Sequence, residues 1–87
     1  MIDEGENVPD DSPLLDHLHA QLSGAIELLN LATDNIKQSP LDHQRNLKRI
    51  GSALSGITDI SFDLYDREPR LIPISLRNTK RFQKYFP

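Results

Sequence analysis

The chain has 87 residues, of which 37% are hydrophobic and 26% charged, and its formal net charge is −3. This length allows one small domain with a limited core. The absence of cysteine excludes disulfides, thiolate nucleophiles and thiolate metal sites, and no apolar run approaches the about 18 residues that a membrane-spanning helix needs. We therefore expect a cytoplasmic protein without membrane contact.

The charges are distributed unevenly along the chain. Residues 1–16 carry six acidic side chains and no base, whereas residues 67–87 carry six bases against one acid. Residues 1–11 also contain few apolar groups, so burial cannot offset the entropy of ordering them. We expect a disordered acidic arm over 1–11, a helical hairpin over 12–68 and a basic, aromatic C-terminal tail over 69–87.

The first predicted helix begins at a Ser-Pro pair. The hydroxyl of Ser12 can cap the first turn, and Pro13 is tolerated there because its missing N–H needs no partner. The apolar residues that follow recur at alternating spacings of three and four, which is typical of a helix that packs lengthwise on another. These positions are Leu15, Leu18, Leu22, Ala25, Leu29, Ala32 and Ile36.

The second predicted helix begins at the same signal, Ser39 followed by Pro40, which also ends the first helix near Gln38. We expect helices over about residues 12–38 and 40–67, joined by a very tight turn. Facing residues of the hairpin should then sum to about 76, twice the position of the turn. The apolar positions of the second helix are Leu47, Ile50, Leu54, Ile57, Ile60 or Ser61, and Leu64.

A two-helix hairpin leaves apolar surface uncovered. At about 100° per residue the apolar arcs of both helices are wider than a single partner helix needs, and Leu31 falls outside the arc. Opposite charges also collect at the two ends of the hairpin. We therefore expect an all-α fold in which the hairpin forms a homodimer, a four-helix bundle, with an antiparallel pair bringing opposite charges together.

The tail combines apolar, basic and aromatic residues. Pro69 and Pro73 favour an extended segment, and Asn78 is positioned to cap a short terminal helix. Two interpretations remain open: the tail folds back over the hairpin and its bases meet Asp59, Asp63 and Asp66, or it docks into a groove on a second protein. The predicted partner-binding residues are Arg77, Lys80, Arg81, Phe82, Lys84, Tyr85 and Phe86.

No arrangement of residues predicts catalysis. His17 and His19 are two positions apart and face different ways on a helix, whereas helical zinc ligands are three or four apart, and His43 lies at the other end of the hairpin. The serines are predicted caps or small helical spacers, without an oriented base beside them. We expect no catalytic residue, no metal and no cofactor.

The sequence therefore predicts a small non-enzymatic protein–protein interaction module. Such a module would bind a larger protein through its bundle surface or its C-terminal tail and would regulate or inhibit it. Small bacterial or phage-encoded regulators often have this size and architecture. The alternative is a nucleic-acid-binding accessory factor that uses the basic C-terminal tip. The overall acidity of the chain argues against it, because the acids repel a phosphate backbone.

Overall fold

The described part of the chain is a helical hairpin followed by a turn-rich tail. The structure, a computed structural model, describes residues 12–87, which contain helices and turns but no strand. Helix α1 spans Ser12–Lys37, helix α2 spans His43–Arg67, and the two pack against each other. The predicted hairpin is confirmed, whereas the predicted acidic arm over 1–11 lies outside the described residues.

The contact between the two helices is only partly covered. The predicted apolar positions of α1 are partly buried, and no residue of α1 is fully buried. On α2, Ser61 faces inward with 6% of its surface exposed, whereas Ile60 is 50% exposed. Ser61 therefore occupies the inward position that the sequence left open between these two residues. Leu31, predicted to fall outside the apolar arc, is 60% exposed. Two helices alone therefore leave apolar surface in contact with water.

The second helix begins at His43, three residues after the predicted Pro40. Ser39 cannot cap it, because the Ser39 hydroxyl donates to the Ile36 carbonyl at 2.8 Å and accepts from the Leu41 amide at 3.2 Å. Asp42 takes the capping role instead, since its Oδ1 accepts from the Arg45 amide at 2.9 Å. A carboxylate at this position also complements the helix dipole.

The later start of α2 changes the register of the hairpin. The connection covers residues 38–42, so facing residues sum to about 80 rather than about 76. The ring contact between His19 and Tyr65, with centroids 5.7 Å apart, is closer to this register than to the predicted one. Relative to the prediction, the two helices are shifted by about one turn.

The tail is not the extended segment that its prolines predicted. Two 3₁₀ turns form, over Pro69–Leu71 and Ile74–Leu76, with extended backbone between them at Ile72. Proline favours such turns because its fixed φ suits the first residue of a helical turn. The predicted short terminal helix is reduced to a 3₁₀ turn over Gln83–Tyr85, preceded by turns in which the Phe82 and Gln83 amides donate to the Thr79 carbonyl.

Within residues 12–87, the buried residues lie at the open end of the hairpin, where α1 begins and α2 ends. The residues of the described chain that are buried are Ser61, Leu64, Tyr65, Ile72 and Phe82. Ile72 and Phe82, each 1% exposed, come from the tail. The tail therefore folds back over α2 and supplies a third layer, which is the first of the two interpretations drawn from the sequence.

The helix contact is tested by a charge at a partly buried position. We expect Leu22→Asp to lower the free energy of unfolding by about 2 to 3 kcal/mol, because the carboxylate loses water against α2 while a leucine contact is lost. Ala20→Asp places the same charge on an exposed position of the same helix and should have little effect. Equal urea midpoints for the two variants would show that Leu22 does not face α2.

The third layer is tested by removing its largest side chain. We expect Phe82→Ala to cost about 3 to 5 kcal/mol, the usual range for a buried phenylalanine, and to release the tail for proteolysis after its arginines. Phe86→Ala removes a partly buried ring and should cost clearly less. If both variants resist trypsin as the parent chain does, Phe82 does not hold the tail in place.

Candidate partner-binding surface

Phe82 is the residue that attaches the tip of the tail to the hairpin. Its ring lies 5.1 Å from that of Phe62, at 87°, and 5.8 Å from that of Tyr65, at 79°. Both are edge-to-face contacts, which add about 0.5 to 1.5 kcal/mol per pair beyond the area buried. Burial in this cluster also raises the pKa of the Tyr65 phenol.

Asp66 is the polar anchor of the same tip. Its Oδ2 accepts from Arg81 Nη2 at 2.7 Å, and its Oδ1 accepts from the Tyr85 hydroxyl at 3.0 Å. The pKa of Tyr85 is raised, first by burial and then by this hydrogen bond, since the carboxylate favours the neutral phenol that donates to it. One carboxylate of α2 thus fixes two residues of the tail, fifteen and nineteen positions further along the chain.

The start of the tail is fixed to α1 by a second ion pair. Arg70 Nη1 lies 2.8 Å from Asp16 Oδ1, and Arg70 Nε donates to Glu68 at 3.0 Å. The hydrogen bond to Asp16 raises the pKa of the Arg70 guanidinium. The sequence predicted that bases of the tail meet Asp59, Asp63 and Asp66. Of these acids, Asp66 pairs with Arg81, and the partner of Arg70, Asp16, was not predicted for the tail.

Several bases of the tip lie over aromatic rings. The Arg77 guanidinium carbon is 4.7 Å from the centroid of Phe86, and Arg77 Nε also donates to the Ile72 carbonyl at 3.1 Å. The Lys84 ammonium is 5.2 Å from the centroid of Tyr85. Such contacts orient a cation without neutralising it. The positive charge of these residues therefore stays available at the surface.

Six of the seven predicted partner-binding residues contribute surface. We call this surface the basic tip; it consists of Arg77, Lys80, Arg81, Lys84, Tyr85 and Phe86. Lys80 and Lys84 are exposed and form no ion pair within residues 12–87. Phe82 is the seventh, and its ring lies inside the protein. Phe82 would therefore affect a partner only indirectly, through the conformation that its ring imposes on neighbouring residues.

A second surface, which the partner-binding prediction did not include, lies on α1. An open groove of about 510 Å³ is lined by Gly24, Glu27, Leu28, Asn30, Leu31 and Asp34. Leu28 and Leu31 are 69% and 60% exposed, so the floor is apolar, while carboxylates stand at its edge. The position of Leu31 outside the apolar arc of α1 was the feature of the sequence that indicated this groove.

Two of the three histidines make local contacts. His19 packs edge-on against Tyr65, and His43 Nε2 lies 2.9 Å from the Ser39 carbonyl. Within residues 12–87, no three side chains of the metal-binding types lie close enough together to hold an ion.

Comparison with protein-family models, with curated proteins and with solved structures found no match. Among the described helices, none has the length and apolar character needed to cross a bilayer. The basic tip and the groove must therefore be interpreted from their own chemistry.

The attachment of Tyr85 to Asp66 predicts a loss of stability in alkali. A raised pKa means that folding favours the neutral phenol, so the contribution of Tyr85 is complete below its ordinary pKa of 10.0 and is lost as the pH rises through the folded value. We expect the thermal midpoint to fall above pH 10.0, and to fall less in Tyr85→Phe. An identical alkaline decline in both proteins would contradict a partly buried phenol that donates a hydrogen bond to Asp66.

Proposed function

We propose that this chain is a small protein–protein interaction module that regulates or inhibits a larger protein by binding rather than by catalysis. The observation that carries the proposal is the construction of the basic tip. Burial of Phe82 and the two bonds to Asp66 hold its backbone in one arrangement, while Lys80 and Lys84 stay exposed. A preorganised surface loses little entropy on binding, which favours affinity.

The chemistry of the tip favours an acidic protein surface as the target. Lys80 and Lys84 supply ammonium groups that can meet carboxylates, and the partly buried rings of Tyr85 and Phe86 supply apolar contact area beside them. Aromatic residues and arginine are enriched at the centres of protein interfaces, whereas lysine suits their polar rims. The charges would steer the encounter, and the rings would contribute to residence time.

The module would act as a homodimer with a four-helix bundle as its body. The support for this is the incomplete cover of the hairpin: the apolar positions of α1 are at best partly buried, and large residues such as Leu28 and Ile60 are at least half exposed. Pairing of two hairpins is the commonest way to bury such surface. The cytoplasm is the compartment that we propose for it.

The tip is tested by reversing its two exposed lysines. We expect Lys80→Glu with Lys84→Glu to abolish capture of the target in a pull-down from cells of the source organism, because carboxylates would then face carboxylates. Lys37→Glu with Lys48→Glu makes the same change in net charge at the other end of the hairpin and should leave capture intact. Circular dichroism should show equal helix content in all three proteins.

The outcomes separate the two candidate functions. The proposal is supported if a protein is captured by the parent chain and by the Lys37→Glu, Lys48→Glu variant (the turn-end variant), but not by the Lys80→Glu, Lys84→Glu variant (the tip variant). Binding of single-stranded DNA or RNA whose affinity falls steeply with salt, and that the tip variant loses, would instead support the nucleic-acid accessory factor. If the tip variant retains every partner of the parent chain, the basic tip is not a binding surface.

A further inference from the structure

The hairpin has two broad faces, and the tail covers only one of them. At about 100° per residue, His19 on α1 and Tyr65 and Phe62 on α2 fall on the same side of the helix contact. The contacts of His19 with Tyr65 and of Phe62 with Phe82 confirm this placement. We call this side the tail face.

The opposite side has no cover within the described chain. Leu28 on α1 and Ala53 and Ile60 on α2 lie there, because corresponding flanks of two antiparallel helices fall on the same side of their contact. Leu14 belongs to the same side, and it is 67% exposed, Leu28 69% and Ile60 50%. We call this side the open face. The groove on α1 opens at its edge, and a methyl group added at Gly24 would meet nothing within 4 Å.

The charges beside the open face are arranged in two sets of opposite sign. Glu27 and Asp34, both exposed, line the groove on α1. Arg45 and Arg49, also exposed, lie near the start of α2. Because facing residues sum to about 80, Asp34 lies level with Arg45 along the hairpin, and Glu27 lies within about one turn of Arg49. The two sets are therefore at matching heights on different helices.

We infer that the occupant of the open face is a second copy of this chain, related by a two-fold axis parallel to the helices. In that arrangement α1 of each copy lies on α2 of the other, with both turns at the same end. The groove, with its Leu28 and Leu31, then receives the α2 side that carries Ala53. Glu27 and Asp34 meet the partner copy's bases at the same height. This inference rests on the proposed four-helix bundle and specifies its face and orientation.

The alternative orientation, with the turns at opposite ends, is disfavoured by the acids of α1. In that orientation α1 of one copy would pack against α1 of the other. The end of α1 that carries Asp34 in one copy would then lie beside the end that carries Asp16 in the other. The sequence-based argument for it counted Asp16, Asp59, Asp63 and Asp66 as partners for bases of another copy. Asp16 and Asp66 already bind bases of their own tail, Arg70 and Arg81, which leaves Asp59 and Asp63 for that orientation.

The test is a pair of charge-reversed variants. The first carries Glu27→Arg and Asp34→Arg, and the second carries Arg45→Glu and Arg49→Glu. Each alone should weaken self-association by at least about tenfold in Kd, because like charges then meet at every one of these contacts. An equimolar mixture should recover an association close to that of the parent chain, since both sets of contacts are complementary in the mixed dimer.

Sedimentation equilibrium of the single variants, the mixture and the parent chain provides the readout. Asp59→Arg with Asp63→Arg serves as the control, because these acids lie at the open end of the hairpin, away from Arg45 and Arg49 of a copy whose turn is at the same end, and should leave the Kd unchanged. This orientation would be overturned if the first two variants dimerise as the parent chain does, or if the control variant does not dimerise. Neither result would contradict the four-helix bundle itself. A parent chain that stays monomeric at millimolar concentration would overturn both.

Discussion

The burial of Phe82 against Phe62 and Tyr65 is the interaction on which the arrangement of the tail depends. Two helices of this length cannot enclose a side chain between them, and the seam of this hairpin accordingly contains no fully buried residue of α1. Within residues 12–87, the buried cluster of Tyr65, Ile72 and Phe82 lies where the tail adds a third layer. The polar bonds of Arg70 and Arg81 hold the ends of that layer, but exposed ion pairs contribute little on their own, so the aromatic cluster must supply most of the stabilisation.

This arrangement gives the molecule two different faces and two different kinds of surface. The tail face is closed by aromatic packing at the open end of the hairpin, and the same packing presents the basic tip to solvent in a fixed conformation. The open face keeps its exposed leucines and its oppositely charged edges. In the function that we propose, this short segment separates a side of the hairpin that self-associates from an end that binds another protein. Both proposals depend on where the tail lies.

Periodicity predicted the parts of the fold that depend on local rules. The helices, the end of α2 at Arg67 and the exposure of Leu31 follow from apolar spacing and from the restrictions that proline imposes. The start of α2 was predicted three residues early, because either Ser39 or Asp42 can cap a helix and only the surrounding hydrogen bonds decide between them. The fate of the tail was left open, since its apolar and aromatic residues suit a fold-back and an intermolecular groove equally well. The burial of Phe82 depends on contacts with residues about twenty positions away, which no local pattern encodes.

The central claim is that the tail is an integral layer of the fold, and it is tested most directly by nuclear Overhauser effects between aromatic side chains. The ring centroids of Phe62 and Phe82 are 5.1 Å apart, so their protons should give clear cross peaks, and the Ile72 methyl groups should be shifted from random-coil values by the neighbouring rings. Random-coil shifts for residues 69–87, without cross peaks to α2, would contradict the account.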